Sequence, residues 1–257
     1  MARVIVVTSG KGGVGKSSVC VNVASHLAKN GNRVCLIDAD LGLKNLDVML
    51  GIENRVVFDI QDVINGVVNL NKALVRDKRI DNLYLLPACK SVDVTKINFS
   101  YLEKIIVELK REFDFVFIDS PAGIERGFYN AIRNASEAIV VVNNDITSIR
   151  DADKVIGILN SQSVLDVKLV MNKVSLRKID NHSSISISDV IEILNIPLLG
   201  IVYEDESVSR ANNNGTPLIL DNKSFINKCY LNISKRLSGE SVKLTRCKRG
   251  LLERIFN

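Results

Sequence analysis

The chain has 257 residues, 46% hydrophobic and 25% charged, the balance of an ordinary folded domain, which excludes a disordered, collagenous or coiled-coil protein. Aromatic residues make up only 5%, without a tryptophan, so a stacking platform for single-stranded nucleic acid is a poor fit and the core is expected to be aliphatic. The net charge of +5 is unevenly spread: over residues 228–257 eight basic residues face two acidic ones, a net of +6 that leaves the rest at −1 and points the tail towards an anionic partner, a membrane surface or a nucleic acid.

In chain order, short β-branched runs alternate with longer helical stretches. The sequence enters its first strand, 4–8, almost at once, with none of the charged, apolar and small-residue regions of a signal peptide. Then come a helix over 17–29, strands over 34–38 and 83–86, a helix over 100–111, strands over 115–119 and 138–143, and a helix over 148–159. A strand over 168–171, a helix over 188–194, a strand over 198–203 and a helix over 223–237 complete the series. Ser100 with Glu103, and Ser148 with Asp151, set a hydroxyl three residues before a carboxylate, the spacing of a capped helix start. The strand runs are continuously apolar, as expected where helices cover both faces of a parallel sheet. The expectation is one α/β domain over 1–237, a doubly wound, mostly parallel sheet flanked by helices. Residues 238–248, polar and basic, read as a flexible tether, and 249–257 as a C-terminal amphipathic helix.

Five cysteines, an odd number with no C-x-x-C pair, suit a reducing compartment and offer no metal-ligand spacing. The longest uncharged apolar stretch, 193–203, is interrupted by Pro197 and Gly200, and a spanning helix needs about 20 residues.

The strongest motif is Gly10-Lys11-Gly12-Gly13-Val14-Gly15-Lys16-Ser17, which fits G-x-x-x-x-G-K-[ST] between a strand and a helix. Glycines are needed there because backbone N–H groups must curl around phosphate oxygens at the positive end of a helix. In that P-loop Lys16 reaches the β- and γ-phosphates and Ser17 the Mg²⁺. Two more acidic sites end strands, where doubly wound sheets bind ligands: Asp38 and Asp40 as Asp-Ala-Asp, and Asp119 after Phe-Val-Phe-Ile. A carboxylate after an apolar strand holds Mg²⁺ through water, a role that suits Asp119.

Lys11 is a second lysine in the loop, and with it the sequence resembles the deviant Walker A family of P-loop ATPases, also called the MinD/ParA family. The stretches 38–47, 118–125, 149–153, 203–212 and 248–256 all resemble its MinD members, so the likeness covers nearly the whole chain. The resemblance implies an ATPase, Mg²⁺-dependent, that forms a nucleotide-sandwich homodimer with ATP. It binds the membrane through its C-terminal helix, recruits a MinC-like septum inhibitor and is stimulated by a MinE-like activator, placing the division site. Lys11 is then the lysine that crosses to the partner's phosphates, Asp40 orients the attacking water, and Asp38 belongs to the outer metal shell. Asn172 stands at the adenine, and Arg150, Asp151 and Asp153 lie on the surface that docks MinC and MinE. Ser17 and Ser18 stand where the family more often has two threonines, which keeps the metal-binding hydroxyl in a cradle running from Gly10 to Ser18. The implied location is the cytoplasm and inner-membrane surface of a bacterium, or a plastid stroma.

On a helical wheel Leu251, Leu252, Ile255 and Phe256 fall within an arc of about 140°, with Arg249 and Arg254 outside it; Lys248 falls inside the arc, so the ordered helix begins after it or its stem snorkels towards water. A helix of about ten residues is too short to be stable alone in water and is expected to order on a surface. Full burial of four such side chains supplies at most about 6–12 kcal/mol, far less after shallow insertion. Each nearby cation adds about 1 kcal/mol on an anionic leaflet. Two copies joined in a dimer gain a further factor of roughly 10² to 10⁴. The rival readings are a ParA-like DNA-partition ATPase, which the apolar arc does not suit, and a MinD-like flagellar-number ATPase, which a missing N-terminal extension does not suit. An iron–sulfur carrier on the same fold would need cysteines that this spacing lacks.

Overall fold

A computed structural model of the protein describes residues 2–40, 45–89, 100–221, 224–245 and 247. The elements run β1 (Arg3–Thr8), α1 (Lys16–Lys29), β2 (Val34–Asp38), α2 (Leu46–Met49), α3 (Ile60–Ile64), α4 (Leu70–Ala73), β3 (Val75–Arg76), β4 (Leu83–Leu86) and α5 (Ser100–Glu112). The second half adds β5 (Phe115–Asp119), α6 (Arg126–Ile132), β6 (Glu137–Val142), α7 (Ile146–Ser161), β7 (Asp166–Val174), α8 (Leu176–Asp180), α9 (Ile187–Leu194), β8 (Leu198–Tyr203), α10 (Glu206–Asn213) and α11 (Phe225–Leu237).

The strands form one sheet in the order β3-β4-β2-β5-β1-β6-β7-β8, parallel throughout except for the antiparallel pair β3 and β4. This is the expected doubly wound sheet. Its central strands are buried from end to end, since Val, Ile, Leu and Phe face helices on both sides. α1 lies against β2, β5 and α11, while α7 packs on β6 and α9. From β1 the chain moves outward to β2 past β5, then later builds β6, β7 and β8 on the other side, so the topological switch falls at the end of β1. In open α/β sheets that switch opens the crevice where ligands bind.

Elements too short to show a period were not legible: β3 has two residues and α2, α3, α4 and α8 four or five each. The expected hydroxyl cap at Ser148 is corrected. The helix starts two residues earlier, capped by Asp145, whose carboxylate accepts from the Ser148 amide, and the Ser148 hydroxyl accepts from the Asn143 amide at 3.0 Å. Aspartate reaches the same free helical N–H groups and adds a charge that suits the helix dipole. α9 likewise begins at Ile187, capped by Ser186. Ser100 opens α5, and its side chain lies outside the described set.

Past α11 the chain doubles back over the helix. Arg236 donates to the Val242 and Lys243 carbonyls, each at 2.8 Å, and Asn232 to the Thr245 hydroxyl at 2.7 Å. The membrane residues Lys248, Arg249, Leu251, Leu252, Arg254, Ile255 and Phe256 lie outside the described residues. Among the described residues no helix is long and apolar enough to cross a membrane.

Candidate nucleotide site

The end of β1 and the start of α1 are joined by the predicted glycine-rich loop. Gly13 and Gly15 both take left-handed backbone conformations, φ 78° and 90°, which an L side chain rarely adopts. Gly15 also has no room: a Cβ there would run into the Asn172 amide nitrogen. Gly10 has none either, because a Cβ would strike the backbone of Asp151 on α7. The loop borders a cleft of about 250 Å³ that gathers Lys11, Gly12, Gly13, Val14, Gly15, Lys16, Ser17 and Ser18 with Asp40, Asn45, Met49 and Ala122.

Two neighbouring parallel strands carry the acidic groups in. Register pairs Asp38 with Asp119 on neighbouring β2 and β5, so two buried carboxylates lie side by side at the strand ends. Lys16 Nζ sits 3.2 Å from Asp119 Oδ1, both buried. Burial raises the Asp119 pKa above its ordinary value, against the opposing pull of Lys16 and Ser17, and the charge of Asp40 adds to the rise. Asp38 is pushed up to about 7, by burial first and the Asp119 charge second, against amides donated by Leu46, Asn45 and Asp40. The second oxygen of Asp119 has no hydrogen-bond partner among the described residues. Buried, oxygen-rich and short of a positive charge, this corner fits a hard divalent cation such as Mg²⁺, for which Ser17 and Asp119 are suitable oxygen donors.

Lys11 lies apart from Lys16, about half exposed, with Nζ 3.0 Å from the Thr147 hydroxyl and 3.5 Å from the Asp145 carboxylate. Slight burial works against ionisation of Asp145, but hydrogen bonds from Thr147 and Ser148 and the Lys11 charge hold its pKa below the ordinary value. The loop therefore leans on the start of α7. That helix also carries the three predicted docking residues, with Arg150 and Asp153 exposed and Asp151 half-buried and ion-paired to Lys154 at 3.5 Å.

A second cleft, of about 280 Å³, opens on the other side of Gly15 between the ends of β7 and β8 and α10. It brings Asn172 together with Ser18, Lys173, Tyr203, Glu204, Asp205 and Asn212. Asn172 is buried and donates Nδ2 to the Val14 carbonyl at 2.7 Å, and Asn212 Nδ2 donates to the Ser18 hydroxyl at 2.8 Å. Sequence reasoning did not single out Lys173 or Asn212. The only signal was that 203–212 belongs to the stretches carrying the family likeness.

Residues 5–218 match the family model of the CobQ/CobB/MinD/ParA nucleotide-binding domain. The septum site-determining protein MinD of Bacillus subtilis is 44% identical over 95% of this chain and 92% of its own. The chain belongs to the MinD family. A MinC:MinD cell division complex from Aquifex aeolicus superposes with a TM-score of 0.89 at 43% identity, covering 95% of this chain and 99% of that one. MinD of Pyrococcus horikoshii, solved with Mg-ADP, gives 0.84 at 28% identity over 92% of this chain and 96% of that chain. As a MinD-family member the protein is a P-loop ATPase, and its function is that of the septum site-determining branch. The DNA-partition and flagellar-number readings are displaced.

Proposed function

We propose that the chain is the nucleotide-gated membrane ATPase of a division-site system: with ATP it dimerises, holds to the membrane surface and recruits a MinC-like inhibitor, and hydrolysis, stimulated by a MinE-like activator, releases it. The observation that carries this is the pairing of two lysines with different surroundings in one loop, Lys16 buried on Asp119 and Lys11 exposed at the cleft rim.

The residues divide the work. The N–H groups of the loop from Gly10 to Ser18 bind the phosphates, and Lys16 follows the β- and γ-phosphates while Asp119 keeps it in place. Ser17 and Asp119 would hold Mg²⁺, with Asp38 beside Asp119 in support. Bound Mg²⁺ neutralises charge on the phosphoryl group being transferred. Asp40 orients the attacking water. Lys11, freed from Asp145 and Thr147, crosses to the partner's phosphates, and Asn172 turns its free amide oxygen to the adenine. Arg150, Asp151 and Asp153 form the docking surface for the inhibitor and the activator. Residues 238–248 connect the 1–237 domain to a helix over 249–257, whose Leu251, Leu252, Ile255 and Phe256 enter the lipid while Lys248, Arg249 and Arg254 meet anionic headgroups. The location is the cytoplasm and inner-membrane surface of a bacterium, or the stroma of a plastid.

Co-sedimentation with anionic liposomes tests the whole cycle. Pelleting with ATP, little with ADP, and none for Lys11→Ala or for a chain ending at Ser241 is the expected result. Equal pelleting with both nucleotides makes the tail a constitutive anchor, and no pelleting removes the membrane from the proposal.

A further inference from the structure

We infer that Lys173 is a positioning residue for the phosphate loop, which holds the Gly13 carbonyl outward so that the next amide faces the phosphates. The inference rests on the reading of residues 10–17 as the phosphate cradle.

β7 is irregular where it meets the loop. Its register with β8 shifts between Met171 and Val174, and Lys173 adopts a left-handed conformation, φ 53°. Bulges of this kind re-aim side chains, and a non-glycine residue stays in the left-handed region only where its surroundings hold it there. The effect is that two successive side chains address the loop instead of pointing to opposite faces as a regular strand requires. Asn172 donates to the Val14 carbonyl and Lys173 Nζ to the Gly13 carbonyl, each at 2.7 Å.

Those two carbonyls are not incidental. A trans peptide is planar, with its C=O and N–H directed oppositely, so fixing a carbonyl fixes the N–H of the following residue. Lys173 thereby aims the Val14 amide, and Asn172 the Gly15 amide, two of the donors a phosphate cradle presents. Lys173 itself is exposed, and a solvated ammonium on a four-carbon stem gives up much rotamer freedom to stay on one carbonyl. Its stem also passes Gly15, where a Cβ would meet Lys173 Cε at 3.6 Å. Lys173 is thus placed to carry the arrangement of the second cleft to the phosphate loop.

The test compares the unaltered chain with Lys173→Met, which keeps the stem but not the donor, and Lys173→Arg, which keeps a donor. Binding of ADP and of inorganic tripolyphosphate is read by displacement of a fluorescent ADP analogue, with thermal unfolding as a check on the fold. Lys173→Met is expected to weaken both ligands by about 5- to 20-fold at an unchanged melting temperature, with Lys173→Arg recovering most of the loss. Should Lys173→Met unfold, Lys173→Asn, which tolerates the left-handed backbone but cannot reach Gly13, is expected to show the same loss. Unchanged affinity overturns the inference, as does a loss for ADP alone, which would place Lys173 on the base, or an equal loss in Lys173→Arg. Failure of the unaltered chain to bind nucleotide would instead overturn the cradle reading on which this one stands.

Discussion

The two clefts that meet at Gly15 are built in opposite ways. The phosphate side comes from one contiguous run, Gly10 to Ser18, with carboxylates delivered by the ends of β2 and β5. The other side is assembled from the ends of β7 and β8 and from α10, segments far apart in sequence. Binding a polyphosphate by backbone amides forces glycines and a lysine into fixed order, whereas a base can be held by whatever side chains the topology brings together. The phosphate side is expected to set the rate of chemistry and the other side only affinity.

The largest effect is expected where the phosphate side carries charge. Lys16→Gln removes the cation to which the proposed function gives the transferring phosphoryl group, and should lower ATP turnover by roughly 10³-fold, read as phosphate release at saturating ATP. Asp119 then loses the countercharge 3.2 Å away and takes a proton more readily. Near-normal turnover in this variant would break the division of labour.

Both clefts hang on α1, so its anchoring offers the next test. One face of that helix presents Ser18, Asn22 and His26 at four-residue intervals, bonded in turn to Asn212, the Leu218 amide and Asn227, the last at 2.8 Å. Burial lowers the His26 pKa from 6.5 to about 4, against the hydrogen bond that its ring donates to Asn227 Oδ1. The unfolded chain takes up this proton below pH 6.5 and the folded one only near 4. The contribution to stability is therefore intact above 6.5 and lost as pH falls towards 4, by about 3 kcal/mol at the end of the window. Asp38, raised to about 7, acts in the opposite sense as it gains its proton. The difference between the unaltered chain and His26→Gln in urea unfolding at pH 7.5, 5.5 and 4.5 isolates the histidine. A constant difference across that range would refute the assignment.

Gly15→Ala strikes the point shared by both sides. An alanine at φ 90° costs about 1–2 kcal/mol in backbone strain alone, and its methyl displaces the Asn172 amide. A loss of about 2 kcal/mol in stability and a weaker grip on both ADP and tripolyphosphate are expected, by denaturant unfolding and ligand displacement.

The same contrast explains what could be read in advance. The loop, its lysines and the strand-end aspartates were legible because each chemical requirement is local in sequence. The sheet was legible because its strands are apolar without alternation, and only the two-residue β3 escaped. The start of α7 was misplaced because serine and aspartate both cap helices, and choosing between Asp145 and Ser148 requires knowing which amide each reaches. Lys173 and Asn212 could not be found, since a lysine after a strand and an asparagine on a polar helix such as α10 have no periodic mark. Their roles exist only once β7, β8 and α10 lie beside the loop. Lys11 falls between these cases: the motif singles it out, yet its contact with Asp145 and Thr147 depends on where α7 begins.

The smallest effect tests the comparison most directly. Asn212 touches the phosphate loop only through Ser18, by one partly buried hydrogen bond between neutral groups. Asn212→Ala removes a bond worth about 1 kcal/mol, and water or nucleotide can satisfy the hydroxyl left behind. Removing a residue that binds substrate and transition state equally raises KM and leaves kcat alone. The expected result is therefore an ATP KM about 5-fold higher at unchanged kcat. If kcat falls instead, the second cleft takes part in the chemistry through Ser18, and the two sides act as one site.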